Sequence, residues 1–248
     1  MAYFKHFQKV DYDIRGTGFT QKLTNLTQFA TIGTKLLDDI TLYEYYNVQA
    51  GERPDNVSYR LYGTTDYYWT FFLVNKHLVN AFNDWPKDTG DLAEFVESKY
   101  PNLAAISSVV GSGFDPIAGK FEIGETVRGG VTGATGKLLK KFPTDGYILI
   151  EPLTGTFDKN GEGIYGLTSN DFLNTQSIVK GAYAPKYHTD DSTGERTNRR
   201  TAGTTPYTHY NYEYDQNIEK SRIRVIKPSM IGEVVRVFSR EMKNKAKK

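Results

Sequence analysis

Residue types that could do chemistry are sparse in this chain, and their spacing argues against most chemistry. Gly129-Gly130-Val131-Thr132-Gly133-Ala134-Thr135-Gly136-Lys137 has the glycine density of a phosphate-cradling loop. Such a loop ends in Gly-Lys-Ser/Thr and opens a helix, so that N–H groups and the helix dipole converge on the phosphates. Here Lys137 runs into Leu138-Leu139-Lys140-Lys141 between β-forming segments, and the run reads as β-turns. His6, His77, His188 and His209 share no metal-ligand spacing, and no two lie four apart on a helix. Asp38-Asp39 and Asp190-Asp191 are neighbours whose side chains diverge or sit in loops. Glu125 and Glu162 recur at matching points of an internal echo, the best-placed pair for the two acids of a glycosidase. A glutamate after a turn glycine more simply bonds local backbone or faces solvent, and no second feature supports catalysis. Serine-nucleophile motifs are absent. The expectation is a protein that is not an enzyme, with no cofactor and no metal.

The elements around these residues are more informative. Pro54 suits a first helical turn, where its missing N–H is no loss. Val57 and Leu61 lie four apart on one face, and Gly63 supplies the left-handed position that ends the helix. Thr65 can cap a second helix with Asp66 in its first turn, and Trp69, Phe72 and Leu73 give that helix its apolar stripe. Thr41 to Val48 alternates loosely and is rich in tyrosine, which suits a strand ahead of the helix pair. Asn83-Asp84-Trp85-Pro86 reads as a turn. A third helix then carries Leu92, Phe95, Val96 and Tyr100 before Pro101 closes it.

Residues 1–40 carry early aromatics (Tyr3, Phe4, Phe7, Tyr12) and then Leu23, Leu26 and Phe29 among threonines. They read as an extended arm followed by a short helix, or as irregular structure lying on a partner. From about Gly111 the texture changes to glycine-punctuated strands. Phe121 to Gly129 is echoed by Phe157 to Gly166, each running Phe, spacer, Gly-Glu, β-former, Gly. Tyr147-Ile148-Leu149-Ile150 is a strong strand between them. Short strands with frequent turns indicate a small antiparallel barrel or sandwich over 111–182. Residues 183–210 are polar and read as a linker. A strand from Ser221 to Lys227, with Ile223 and Val225 on one face, precedes Pro228 and a helix whose stripe is Ile231, Val234, Val235, Phe238 and Met242, expected as a docking helix. The fold expected is α+β, with the β-domain inserted between residues 41–110 and a C-terminal strand–helix at 211–248.

The totals fit such a chain. It has 248 residues, 18 Tyr and 14 Phe, and a net charge of +2 that offers no global field toward nucleic acid or an anionic membrane. Tyrosine keeps a polar tip usable at wet contacts, which tilts the composition toward protein–protein contact. The basic C-terminus (Arg240, Lys243, Lys245, Lys247, Lys248) reads as a solvated helix end. Cysteine is absent, so disulfides and thiolate metal sites are excluded. No basic-then-apolar leader and no apolar run of membrane-spanning length occur in the sequence, and a soluble protein of a cytosol-like compartment is expected.

Tyr43, then Gly51-Glu52-Arg53-Pro54-Asp55, Tyr59-Arg60-Leu61-Tyr62-Gly63, Tyr68-Trp69 and Leu73-Val74-Asn75, resembles a LysM-type module of contractile phage tails. With Trp85-Pro86, Lys99-Tyr100 and the C-terminal strand–helix, the chain resembles a LysM-bearing baseplate wedge subunit of myophages. The resemblance implies a β-α-α-β module carrying Arg53, Pro54, Tyr59, Leu61, Tyr62, Gly63, Tyr68, Trp69, Leu73 and Asn75. It also implies a structural role, joining wedge subunits around the central hub in a tail assembled in the host cytoplasm. The partners implied are other wedge subunits and hub or sheath-initiating tail proteins. The alternative it carries is a module binding peptidoglycan-type N-acetylglucosamine polymers.

Overall fold

A computed structural model of the protein describes residues 3–26, 40–80, 83–110, 117–197 and 199–245. Phe29 of the expected N-terminal helix falls outside these residues, as do Lys247 and Lys248 of the basic tail. The chain forms two compact units, one of Met1–Asp88 with Asn217–Lys248 and one of Thr89–Gln216.

The first unit opens with a 3-10 turn, Tyr3–His6, and a hairpin of β1 (Lys9–Tyr12) and β2 (Gln21–Thr24). Leu23 therefore lies in a strand, not in the helix that leucine spacing suggested. β3 (Tyr43–Asn47) leads to helix α1 (Pro54–Tyr62), a 3-10 turn at Thr65–Tyr67 and helix α2 (Trp69–Val74). Pro54 sits in the first turn of α1, and Gly63, at φ 71°, ends it in the left-handed conformation. The cap falls one residue earlier than expected: the Thr64 hydroxyl accepts the Asp66 N–H at 3.2 Å, and Thr65 begins the turn itself. The stripe of α2 is also different. This short helix lies between two apolar clusters, so Phe71 is buried with Val57 and Ile223 while Trp69 and Val74 meet Phe7, Ile226 and Phe238. Phe72 and Leu73 are only partly covered.

The second unit runs through helix α3 (Thr89–Lys99) and strands β4 (Leu103–Ser107), β5 (Thr126–Gly129), β6 (Thr135–Phe142), β7 (Tyr147–Thr154), β8 (Gly163–Gly166) and β9 (Phe172–Lys180). The six strands close into an antiparallel barrel in the order β4-β7-β6-β5-β8-β9. Alternate residues point inward, with Ala105, Val127, Leu138, Ile148, Ile164 and Ile178 among the core. Strand β4 belongs to this barrel, although sequence texture placed the start of the β-domain near Gly111. The polar stretch 183–210, expected as a linker, instead carries β10 (Pro185–Asp190), β11 (Arg196–Thr197) and β12 (Thr204–Thr208) in a separate sheet. Cross-strand stacking holds it, with the Tyr187 and Tyr207 rings 4.5 Å apart, in place of an alternating apolar face. Helix α4 (His209–Ser221), which the sequence reading missed, follows; Glu213 is its one residue buried among those described.

The internal echo is a structural duplication. β5 and β8 pair about Arg128↔Tyr165, with Val127↔Gly166 and Gly129↔Ile164 disposed symmetrically on either side. The β5–β6 and β8–β9 registers correspond position for position, and the β6–β7 irregularity after Leu138 has its counterpart where β9 meets β4. The barrel is thus two strand triplets, β5-β6-β7 and β8-β9-β4, related by a local two-fold. Each triplet lends a buried carboxylate to the other. Glu162 accepts the N–H groups of Val131 at 2.8 Å, Thr132 at 3.0 Å and Asp158 at 3.0 Å, and the Thr132 hydroxyl at 2.8 Å. Glu125 accepts from the N–H of Glu122, Thr168 and Ser169 and from the Ser169 hydroxyl. A side chain on Gly129 would strike Glu162, and one on Gly166 would strike Glu125, which explains the recurring glycines. Each glutamate thus bonds local backbone, as expected, at Glu122 or Asp158, and also clips a loop of the opposite triplet.

The last segment returns to the first unit as β13 (Arg222–Ile226) and helix α5 (Ile231–Lys245). β13 pairs antiparallel with β3, from Arg222↔Asn47 to Ile226↔Tyr43. It buries Ile223 and Val225 on one face, as their alternation suggested.

Burial pushes the Glu125 and Glu162 carboxyls up, but the converging N–H and hydroxyl donors outweigh it and hold both below their usual value. Since the folded pKa values lie under the unfolded 4.5, their stabilisation is complete above about pH 4.5 and is lost as pH falls through the lowered values. Glu162→Gln places an NH2 donor against N–H donors. It should cost the second unit about 2–3 kcal/mol at pH 7 by thermal or urea unfolding, with much less difference from wild type at strongly acid pH.

Candidate functional site

The first unit is closed by side chains that satisfy the backbone of β13. In the β3–β13 register the bonded pairs alternate, and bonds from Val48 N–H to Ser221 C=O and from Lys227 N–H to Leu42 C=O fix which they are. The N–H and C=O of Arg224 and the C=O of Ile226 consequently face away from β3. Asn75, buried just past the end of α2, meets the first two: its amide donates to the Arg224 carbonyl at 2.8 Å and its oxygen accepts the Arg224 N–H at 2.8 Å. The same amide donates to the Phe71 carbonyl at 2.8 Å and so secures the end of α2. Tyr62, the residue before Gly63, donates its hydroxyl to the Ile226 carbonyl at 2.8 Å, and burial pushes its pKa up.

A second knot holds the loop between β3 and α1. The Glu52 carboxylate accepts the Tyr46 hydroxyl at 2.9 Å and the Gln49 N–H at 2.8 Å, and pairs with Arg60. The Trp85 indole donates to the Glu52 carbonyl at 2.6 Å. Neither Glu52 nor Trp85 was singled out as a site residue, because nothing in sequence joins positions so far apart.

The sequence-predicted residues divide sharply. Trp69, Tyr62 and Asn75 are interior supports; Trp69 lies 4.7 Å from the Phe238 ring. Leu61, Tyr68 and Leu73 are partly buried against the two clusters. Pro54 and Gly63 shape the ends of α1, while Arg53 is exposed and pairs with Asp55 at 3.4 Å. Tyr59 stands 64% exposed on the rim. In α5, Ile231, Val234, Phe238 and Met242 are buried and Val235 partly so, against Phe7, Trp69 and Ile226. That stripe, expected as a docking face, is occupied by the unit's own core. Tyr3, Phe4 and Phe7 join the same cluster, so the beginning of the expected arm is core as well.

Exposed apolar side chains recur on the hairpin and its turn. Its residues are exposed on both faces, with Ile14 at 59% and Phe19 at 84%. Asp13 organises the turn by accepting the N–H groups of Arg15 at 3.0 Å and Gly18 at 2.6 Å. A lone two-stranded ribbon is marginal in water, and Tyr12, Ile14 and Phe19 stay more than half exposed. No group of three or more His, Asp or Glu that could hold a metal occurs among the described residues. No helix there is long and apolar enough to cross a membrane.

Residues 3–111 match the phage family described as base plate wedge protein 53. The match supports a structural role in a phage baseplate, as a virion tail component whose partners are other baseplate proteins. A structural family of this kind argues for a role other than catalysis. No curated protein matches the chain.

Asn75→Ala would leave the N–H and C=O of Arg224 unsatisfied, while the residue-75 N–H still bonds the Phe71 carbonyl, and should destabilise the first unit by about 3 kcal/mol in denaturant titration. Phe7→Ala, by opening a cavity against Trp69 and Phe238, should cost about as much.

Proposed function

We propose that the chain is a docking subunit of a contractile-tail baseplate wedge, joining wedge subunits around the central hub. The observation that carries this is the match of residues 3–111 to a base plate wedge family. In this reading β3, α1, α2 and β13 are the parts of a LysM-like module; what supports it is the order strand–helix–helix–strand with the two strands paired antiparallel. Its closing strand comes from Arg222–Ile226 rather than from residues 41–110, so the second unit is carried as an insertion between α2 and β13. The module's signature residues hold it together, and contact falls to its rim and to the β1–β2 hairpin. Partners are neighbouring wedge subunits and hub or sheath-initiating proteins, met during assembly in the host cytoplasm. Several modest contacts on one chain raise the effective concentration for each successive one, which suits a joint between subunits. The family match does not favour the peptidoglycan-binding alternative.

The double change Ile14→Ser with Phe19→Ser separates docking from folding. Both side chains are exposed, so the melting temperature should stay within about a degree of wild type. Co-expressed with the other wedge proteins of its phage and purified through one of them, the variant should be recovered at least tenfold less than wild type. Full recovery would contradict docking through the hairpin.

A further inference from the structure

Beside the Asn75 bridge the first unit has a cleft of about 480 Å³ lined by Tyr45, Val74, Lys76, His77, Arg222 and Arg224 with Asn75. Three of these are formal cations and none is a carboxylate. Among the described residues no ion pair reaches Lys76, Arg222 or Arg224, whereas Arg60 is paired to Glu52 and Lys220 to Asp84. The strand alternation explains the one-signed lining. Arg222, Arg224 and Tyr45 project from one face of the β3–β13 pair, and Glu44, the acidic residue of β3, is displaced to the other.

The cations are also arranged. The Arg222 guanidinium lies over the Tyr45 ring at 4.5 Å from its centroid, and Tyr45 is 60% exposed. Stacking holds a planar fork at a fixed angle with its N–H edge free for a carboxylate. Arg224 springs from the backbone position that Asn75 clamps through both N–H and C=O, so its Cα is fixed relative to the cleft floor. A cleft lined by one sign of charge concentrates ligands of the other.

We propose that this cleft is a docking site for an acidic polypeptide segment of a neighbouring protein, its carboxylates taken by the Arg222 and Arg224 forks with Lys76 alongside. The proposal rests on the docking role above only for the neighbour being a protein. The chain's net charge of +2 gives no broad field to steer a nucleic-acid strand, which favours the peptide.

The test uses the full chain and a fluorescein-labelled oligoglutamate peptide, read by fluorescence anisotropy at low and moderate salt. Binding should be saturable, should weaken as salt rises, and should fall at least tenfold in the R222Q/R224Q variant. R196Q/R199Q, an equal loss of charge in the second unit, should bind as wild type. R222K/R224K, which keeps charge without the fork, should fall between and serves if the Gln pair unfolds the protein. Equal binding by wild type and R222Q/R224Q, or no binding by wild type, overturns the proposal. So does tighter, Arg222- and Arg224-dependent binding of an oligothymidylate matched in charge. Any of these would leave wedge docking standing, because that is read by co-purification through the hairpin.

Discussion

The pairing of β3 with β13 is the constraint on which the first unit depends. Its two strands are separated in sequence by the whole of the second unit, and α2 has nothing to close against until they meet. Loop-closure entropy grows only slowly with length, so a long insertion between α2 and β13 is thermodynamically tolerable. Specific bonds still have to hold the returning strand. Asn75 and Tyr62 do this by satisfying backbone groups that β3 cannot reach, and an unsatisfied buried carbonyl or N–H would cost about 1–3 kcal/mol each. With β13 in place, Ile223 and Val225 complete one apolar cluster and Ile226 begins the other, which α5 and the N-terminal aromatics finish.

The second unit solves its own closure by duplication. Two strand triplets exchange glutamates across a local two-fold, and each carboxylate fixes the hairpin loop that follows its counterpart. Multiple N–H donors on a buried carboxylate make a charged group a source of order without catalysis. This removes the one pair of acids that sequence spacing offered as chemistry, and agrees with a family whose role is structural.

Local chemistry was legible in the sequence, and distant pairing was not. Pro54 and Gly63 act on their own helix, so the limits of α1 could be read directly. Ile223 and Val225 alternate, so their strand was evident, but nothing in Arg222–Ile226 names Tyr43–Asn47 as its partner. Asn75 was noticed through a resemblance, whereas its bond to Arg224 exists only in the folded unit. The echo of Phe121 to Gly129 in Phe157 to Gly166 was visible, yet β4 was not recognised as the counterpart of β7. The counterpart segment Ala104-Ala105-Ile106-Ser107 has alanines and a serine where Tyr147, Ile148 and Ile150 stand. Burial on two sides hid the pattern of α2, and half-exposed polar strands hid β10 to β12.

A cryo-electron microscopy map of the assembled phage baseplate tests the central claim most directly. The account predicts density for the first unit at a junction between wedge subunits, with β13 paired to β3 and the β1–β2 hairpin buried against a neighbouring protein. A baseplate lacking this chain, or one in which the hairpin and the rim of the first unit face solvent, would contradict it.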